Sequence, residues 1–140
     1  MQRPVVLLID DEIGYAKVIQ DALQPLGIEV LIATNATEAL LLYQQVNPSM
    51  ILLDVMMPEI DGLTLLRWLR EHSDQRRIPI HVVSAKSTPA DQKAAIKAGA
   101  DGFLAKPFTF EELRHLIIEH LHLPPVTATG QAPGGPGNGQ

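Results

Sequence analysis

Four short apolar runs in this chain each end on a residue able to do chemistry. Val5–Ile9 leads into Asp10 and Asp11, Met50–Leu53 into Asp54, Ile80–Val83 into Ser84, and Gly102–Ala105 into Lys106. If these runs are strands of one parallel sheet, the polar residues share its carboxyl edge, where open α/β folds bind their ligands. Three carboxylates confined at one edge cannot all stay ionised without a cation, because each raises the pKa of the others. Only hard oxygen ligands are at hand, so the implied ion is Mg²⁺, which takes a few carboxylates together with waters and phosphate oxygens. The ion and the Lys106 ammonium then offset the charge of Asp10, Asp11 and Asp54. Aspartate carboxylates form acyl phosphates, so Asp54 is a competent nucleophile toward phosphorus. Ser84 and Lys106 are suited to hold the oxygens of a captured phosphoryl group.

Gathering these residues requires the runs to be strands, with Glu29–Ala33 as a fifth. Most of them are continuously apolar, as strands covered on both faces are. They alternate with longer segments of 3.6-residue periodicity, which argues for repeated βα units. Helices are predicted near 13–26, 36–46, 62–71, 90–98 and 110–121. Three of them open on cap signals: Asn35 with Glu38, Thr88 with Pro89 and Asp91, and Thr109 with Glu112. Gly27 and Gly99 stand where a helix end favours a left-handed residue. The predicted fold class is α/β, a doubly wound parallel sheet of five strands with five helices.

With 140 residues the chain has the length of one domain, and 46% hydrophobic against 19% charged residues is enough apolar material for a core. A net charge of -5 is a poor balance for holding a polyanion, so direct nucleic-acid binding is not expected. The absence of cysteine removes disulfides, thiolate metal sites and cysteine nucleophiles. Val5–Ile9 is far too short for a signal-peptide core or a membrane span, and the chain reads as soluble and cytoplasmic. From Pro124 to Gln140 the chain carries four Pro, five Gly and no charged side chain. The expected division is therefore a folded unit over 1–123 and a disordered tail or linker over 124–140.

The motifs together resemble a response-regulator receiver domain of two-component signalling, similar to the chemotaxis receivers. The resemblance covers about residues 4–122 and lies in Asp10-Asp11, in Asp54-x-x-Met57-Pro58-x-x-Asp61-Gly62, in Ser84-Ala85, in Gly99-Ala100-Asp101-Gly102-Phe103 and in Lys106-Pro107. It implies a flavodoxin-like sheet of strand order 2-1-3-4-5. It also implies that Asp54 is the phosphoacceptor, taking its phosphoryl group from a sensor histidine kinase or a phosphotransfer protein. Asp11 would bind Mg²⁺ directly, Asp10 directly or through water, and the Met56 backbone carbonyl would add a ligand. Lys106 would pair with the phosphoryl group, and the Lys106–Pro107 bond would be cis. Ser84 and Phe103 would form the switch that alters the face of the fourth helix, last strand and last helix, where a downstream protein or tethered output domain binds. Met56 and Lys86, two residues beyond Asp54 and Ser84, would flank the phosphoryl group.

Blander readings stand beside these. Asp61-Gly62 is a turn and helix cap that shapes the loop after Asp54. Phe103, without the resemblance, is a core residue. His72, His81, His115, His120 and His122 share no helical face, and no metal site is expected among them. Arg76-Arg77 reads as a solvated loop pair. Leu113, Leu116, Ile117 and Leu121 form the core face of the last helix.

The leading reading is a phosphorylation-dependent switch with no turnover beyond accepting and losing its phosphoryl group. A Mg²⁺-dependent phosphohydrolase with an aspartyl nucleophile is the alternative, although such enzymes place an acid two residues after the nucleophile, where this chain has Met56. A receiver-like interaction module that works without phosphorylation is the third. The output is expected from a single-domain shuttle or adaptor, or from a longer regulator.

Overall fold

A computed structural model describes residues 3–58, 60–72 and 78–121. Five strands, β1 (Val5–Ile9), β2 (Glu29–Ala33), β3 (Met50–Leu53), β4 (Ile80–Ser84) and β5 (Gly102–Ala105), alternate with α1 (Ile13–Leu23), α2 (Ala36–Val46), α3 (Gly62–Glu71), α4 (Pro89–Ala98) and α5 (Phe110–Leu121). The sheet has the order β2-β1-β3-β4-β5, and every pairing is parallel. His122, Arg76-Arg77 and residues 124–140, expected to form a tail or linker, lie outside the described residues. Among those described, no helix is long and apolar enough to cross a membrane.

Alternation along each strand divides the core in two. Leu7, Ile9, Ile51, Leu53, Ile80 and Val82 face a layer built from Ala39 of α2, Leu65, Leu66 and Leu69 of α3, and Ala95 and Ala98 of α4. Val6, Leu8, Met50, Leu52 and Val83 face Ala16, Ile19 and Leu23 of α1 and Leu113, Leu116 and Ile117 of α5. Leu121 packs partly buried on that second layer, which completes the expected core face of α5. Central strands covered on both sides have no solvent face to mark with polar residues, hence their unbroken apolar runs.

The caps form in detail. Asn35 accepts from the Glu38 amide at 2.8 Å, while the Glu38 carboxylate reaches back to the Thr34 amide at 2.7 Å. Thr88 and Asp91 close a capping box on α4, and Thr109 and Glu112 make the same reciprocal pair on α5. The first helix is shorter than its periodicity predicts. It ends at Leu23, and Gln24–Leu26 form a single 3₁₀ turn closed by Gly27 at φ 78°. Pro25 is the cause, since it has no N–H to donate to the preceding turn.

One buried contact joins histidines that the sequence reading treats separately. His81 on β4, only 6% exposed, meets His120 of α5 with ring centroids 4.5 Å apart, and its Nδ1 is buried without a hydrogen-bond partner. Burial, and next the neighbouring His120, push the His81 pKa down to about 4, against the opposing charges of Asp101 and Glu119. A cationic imidazole is therefore disfavoured in the folded state but free to form in the unfolded chain near pH 6.5. Above that pH folding suffers no penalty from this group; as the pH falls toward 4 the unfolded chain takes up the proton first and stability drops. Between pH 7 and pH 4 the loss from His81 should be about 3 kcal/mol. Urea melts at both pH values should show a smaller decline for His81→Leu than for the unsubstituted chain. Equal declines would show that His81 does not carry the effect.

Candidate functional site

The register delivers the polar residues to one place. Ile9 pairs with Leu53, so Asp10 and Asp54 leave adjacent strands at the same level. Ser84 pairs with Ala105, so Lys106 emerges one residue beyond Ser84 on the neighbouring strand. The ladder continues past the strand ends: the amides of Asp10, Asp54 and Lys106 donate to the carbonyls of Ala33, Ile9 and Ser84 at 2.9, 2.9 and 3.0 Å. Their backbones are thus as fixed as the sheet.

Lys106 is the hub of the site. Its Nζ donates to Asp10 Oδ2 at 2.8 Å, to Asp54 Oδ2 at 3.0 Å and to Glu12 Oε1 at 3.1 Å, and it lies 4.4 Å from the ring centroid of Tyr15. The remaining oxygens of the two aspartates are held by their own loops. Asp10 Oδ1 accepts from the Glu12 amide and Asp54 Oδ1 from the Met56 amide, each at 2.9 Å. Asp10 and Asp54 are 1% and 4% exposed. Burial lifts the Asp10 pKa above the usual aspartate value, against hydrogen bonds from Lys106 and the Glu12 amide. Burial also works against the charge on Lys106, but its bonds to Asp10 and Asp54 and the charges of both carboxylates outweigh it and hold its pKa above the usual lysine value. The ammonium is charged at any pH near neutrality.

The other sequence-derived residues sit around this hub. Ser84 is fully buried, and its Oγ accepts from the Lys86 amide at 3.2 Å. Lys86 extends toward Asp91, 3.9 Å away, with a largely exposed side chain. Asp11 is exposed and lines a groove with Met56, Asp61, Lys86 and Asp91. Asp61 caps α3 through the Leu63 amide at 3.2 Å. Phe103 is half-buried against the core layer shared with α2, α3 and α4. The Lys106–Pro107 peptide is cis.

Glu12 is a site residue that the sequence analysis does not single out. Oxygens of Asp10, Glu12 and Asp54 lie within 4.8 Å of one another, whereas Asp11 is not in that group. Its only sequence signal was its place two residues after Asp10, in the turn that brings its amide back to the Asp10 carboxylate. The donors gathered at this edge, these three carboxylates with Asp11 and Met56 on the adjoining groove, offer oxygen, which suits a hard divalent cation such as Mg²⁺.

Residues 6–118 match the sequence profile of the response regulator receiver domain. The chain belongs to the receiver domain family of two-component response regulators. This receiver is 37% identical over 116 residues to a probable transcriptional regulator, ycf27, of Pyropia yezoensis, covering 83% of this chain and 46% of that protein. It is 37% identical over 122 residues to the transcriptional regulatory protein TrcR of Mycobacterium tuberculosis, covering 84% of this chain and 47% of TrcR. The chain thus spans about half the length of the curated relatives it matches. Among solved structures, the Francisella response regulator 1452 receiver domain is 32% identical, with a TM-score of 0.77 over 85% of this chain and 97% of that one. The strand order 2-1-3-4-5 is that of a flavodoxin-like, CheY-like receiver.

Proposed function

We propose that this receiver is a phosphorylation-dependent switch in which Asp54 captures a phosphoryl group from a histidine kinase or phosphotransfer protein. The observation that carries the reading is the Lys106 ammonium held between Asp10 and Asp54 at 2.8 and 3.0 Å. A buried cation beside a carboxylate nucleophile is what an incoming phosphoryl group requires, because it meets charge where charge arrives. In the transfer a carboxylate oxygen of Asp54 bonds to phosphorus while the bond from phosphorus to the donor's imidazole nitrogen breaks, and the imidazole departs with that electron pair. With a small donor such as acetyl phosphate, acetate departs instead.

Mg²⁺, held by Asp10, Asp11, Asp54 and the Met56 carbonyl, would supply positive charge to the phosphoryl oxygens. Lys106 supplies a second positive centre, and the Ser84 hydroxyl, released from the Lys86 amide, supplies a further donor. A phosphoryl group adds roughly two negative charges and three acceptors at a buried edge. Ser84 and Phe103 would respond by shifting, and the face of α4, β5 and α5 would bind the downstream partner or tethered domain. β5 is an edge strand of the sheet, so this face is not covered by another strand.

Support for a protein donor comes from the rim. Tyr15, Val18, Ile19, Ala22, Phe108 and Phe110 line a mostly apolar groove between α1 and the start of α5, and Val18 and Phe110 are 67% and 45% exposed. An apolar patch beside Lys106 is where a partner presenting a phosphohistidine would dock. The phosphohydrolase alternative has less support, since Met56 offers no proton to a leaving group.

The test is intact mass after incubation with Mg²⁺ and acetyl phosphate. A gain of one phosphoryl group is expected, lost when a chelator is added. An unchanged mass under conditions that label another receiver would leave the interaction module as the better reading. Steady phosphate release from many monoesters would favour the phosphohydrolase.

A further inference from the structure

Lys106 has three N–H donors, and each faces a different carboxylate: Asp10, Asp54 and Glu12. Nothing in the ammonium is left over for another anion. The three acceptors are not equivalent. The side chains of Asp10 and Asp54 are 2% and 6% exposed, whereas that of Glu12 is 64% exposed and makes the longest of the three contacts, at 3.1 Å. An oxygen of Glu12 also lies within 4.8 Å of one from Asp54, inside the space that any group built on Asp54 must enter.

We propose that Glu12 is a positioning residue acting through Lys106: its carboxylate holds the place of a phosphoryl oxygen on the ammonium and swings into solvent when Asp54 is phosphorylated. The inference rests on Asp54 being the acceptor. Asp10 cannot yield that place, because so little water reaches its carboxylate to replace the lost bond. Glu12 can, since water already reaches most of its side chain. Until it moves, its negative charge faces the incoming phosphoryl group at short range, so Glu12 is a brake on capture.

Two substitutions in the full chain separate contact from charge. Glu12→Gln removes the charge at constant length, and Glu12→Asp keeps the charge but draws it back by one methylene, out of reach of Lys106. With Mg²⁺ and acetyl phosphate, both should gain the phosphoryl mass roughly two to five times faster than the unsubstituted chain, the size expected when the charged contact of one largely exposed carboxylate with the ammonium is lost. A Glu12→Asp rate equal to the unsubstituted one, with only Glu12→Gln faster, would reduce the effect to net charge and overturn the proposal. So would equal rates in all three. No labelling of any of the three proteins is a different result, the failure of Asp54 as acceptor, and this inference would fall with it. A readout independent of labelling is proton exchange at the Lys106 ammonium, followed by NMR without donor. Exchange should quicken in Glu12→Asp, which draws the acceptor away from the ammonium, and an unchanged rate there would show that Glu12 does not hold the lysine. Thermal melts of the three proteins check that each is folded.

Discussion

Asp54→Asn is expected to abolish phosphoryl capture while leaving the receiver folded. Asparagine keeps the shape of aspartate and an oxygen able to accept the Met56 amide, so the loop after β3 retains its 2.9 Å anchor. What it loses is the nucleophile. An amide oxygen is a poor nucleophile toward phosphorus, and Lys106 would then face Asp10 and Glu12 with no charged partner at position 54. Removing a nucleophile that works as a unit with its neighbours costs on the order of 10⁴-fold or more in rate. Labelling with acetyl phosphate should therefore fall below detection by intact mass, with an unchanged circular dichroism spectrum. A phosphoryl gain that persists in Asp54→Asn would assign the acceptor to another group, with Asp10 and Glu12 the first to examine by peptide mapping.

Gly62→Ala should be the most destabilising small substitution at the edge of the site. A Cβ at position 62 would stand 2.3 Å from Val55 Cα, 2.5 Å from its carbonyl oxygen and 2.6 Å from its Cβ. Two of those atoms are backbone, so no rotamer change relieves the overlap. The β3–α3 loop or the start of α3 must move, in the segment that carries the Met56 amide to Asp54. Overpacking of this kind costs about 3 kcal/mol, which in a domain of this size lowers the melting temperature by roughly 10 °C. Gly14→Ala is the control. Nothing lies within 4 Å of its would-be Cβ on α1, and alanine there should raise stability by about 0.5 kcal/mol or more. A Gly62→Ala melt no lower than that of the unsubstituted chain would show that the loop relaxes freely.

Much of this architecture was legible beforehand because its signals are local. Val5–Ile9 and Met50–Leu53 are apolar throughout since both of their faces are covered, and that covering leaves its mark within each segment. Thr88 with Asp91 and Thr109 with Glu112 declare helix starts because a cap is satisfied within three residues. Asp10, Asp54, Ser84 and Lys106 could be placed on one edge because parallel strands joined by helices all point their carboxyl ends the same way. The end of α1 was misjudged because its periodicity runs on through Pro25, and the missing N–H there, not the pattern, decides where the helix stops.

What the sequence by itself determined, then, is the succession of strands and helices, the edge on which the chemistry-bearing side chains gather, and the family to which the chain belongs. Only the tertiary structure decided which carboxylates share Lys106, because reach and exposure, not order along the chain, bring Glu12 onto the ammonium and leave Asp11 on the neighbouring groove. It also decided that His81 and His120 meet and that Arg70 of α3 ties down Gly99, Ile78 and Asp101 around β4 and β5. These contacts join residues from 8 to 94 positions apart. Side chains so separated leave no periodicity in the chain; their distances are set only when the helices pack on the sheet.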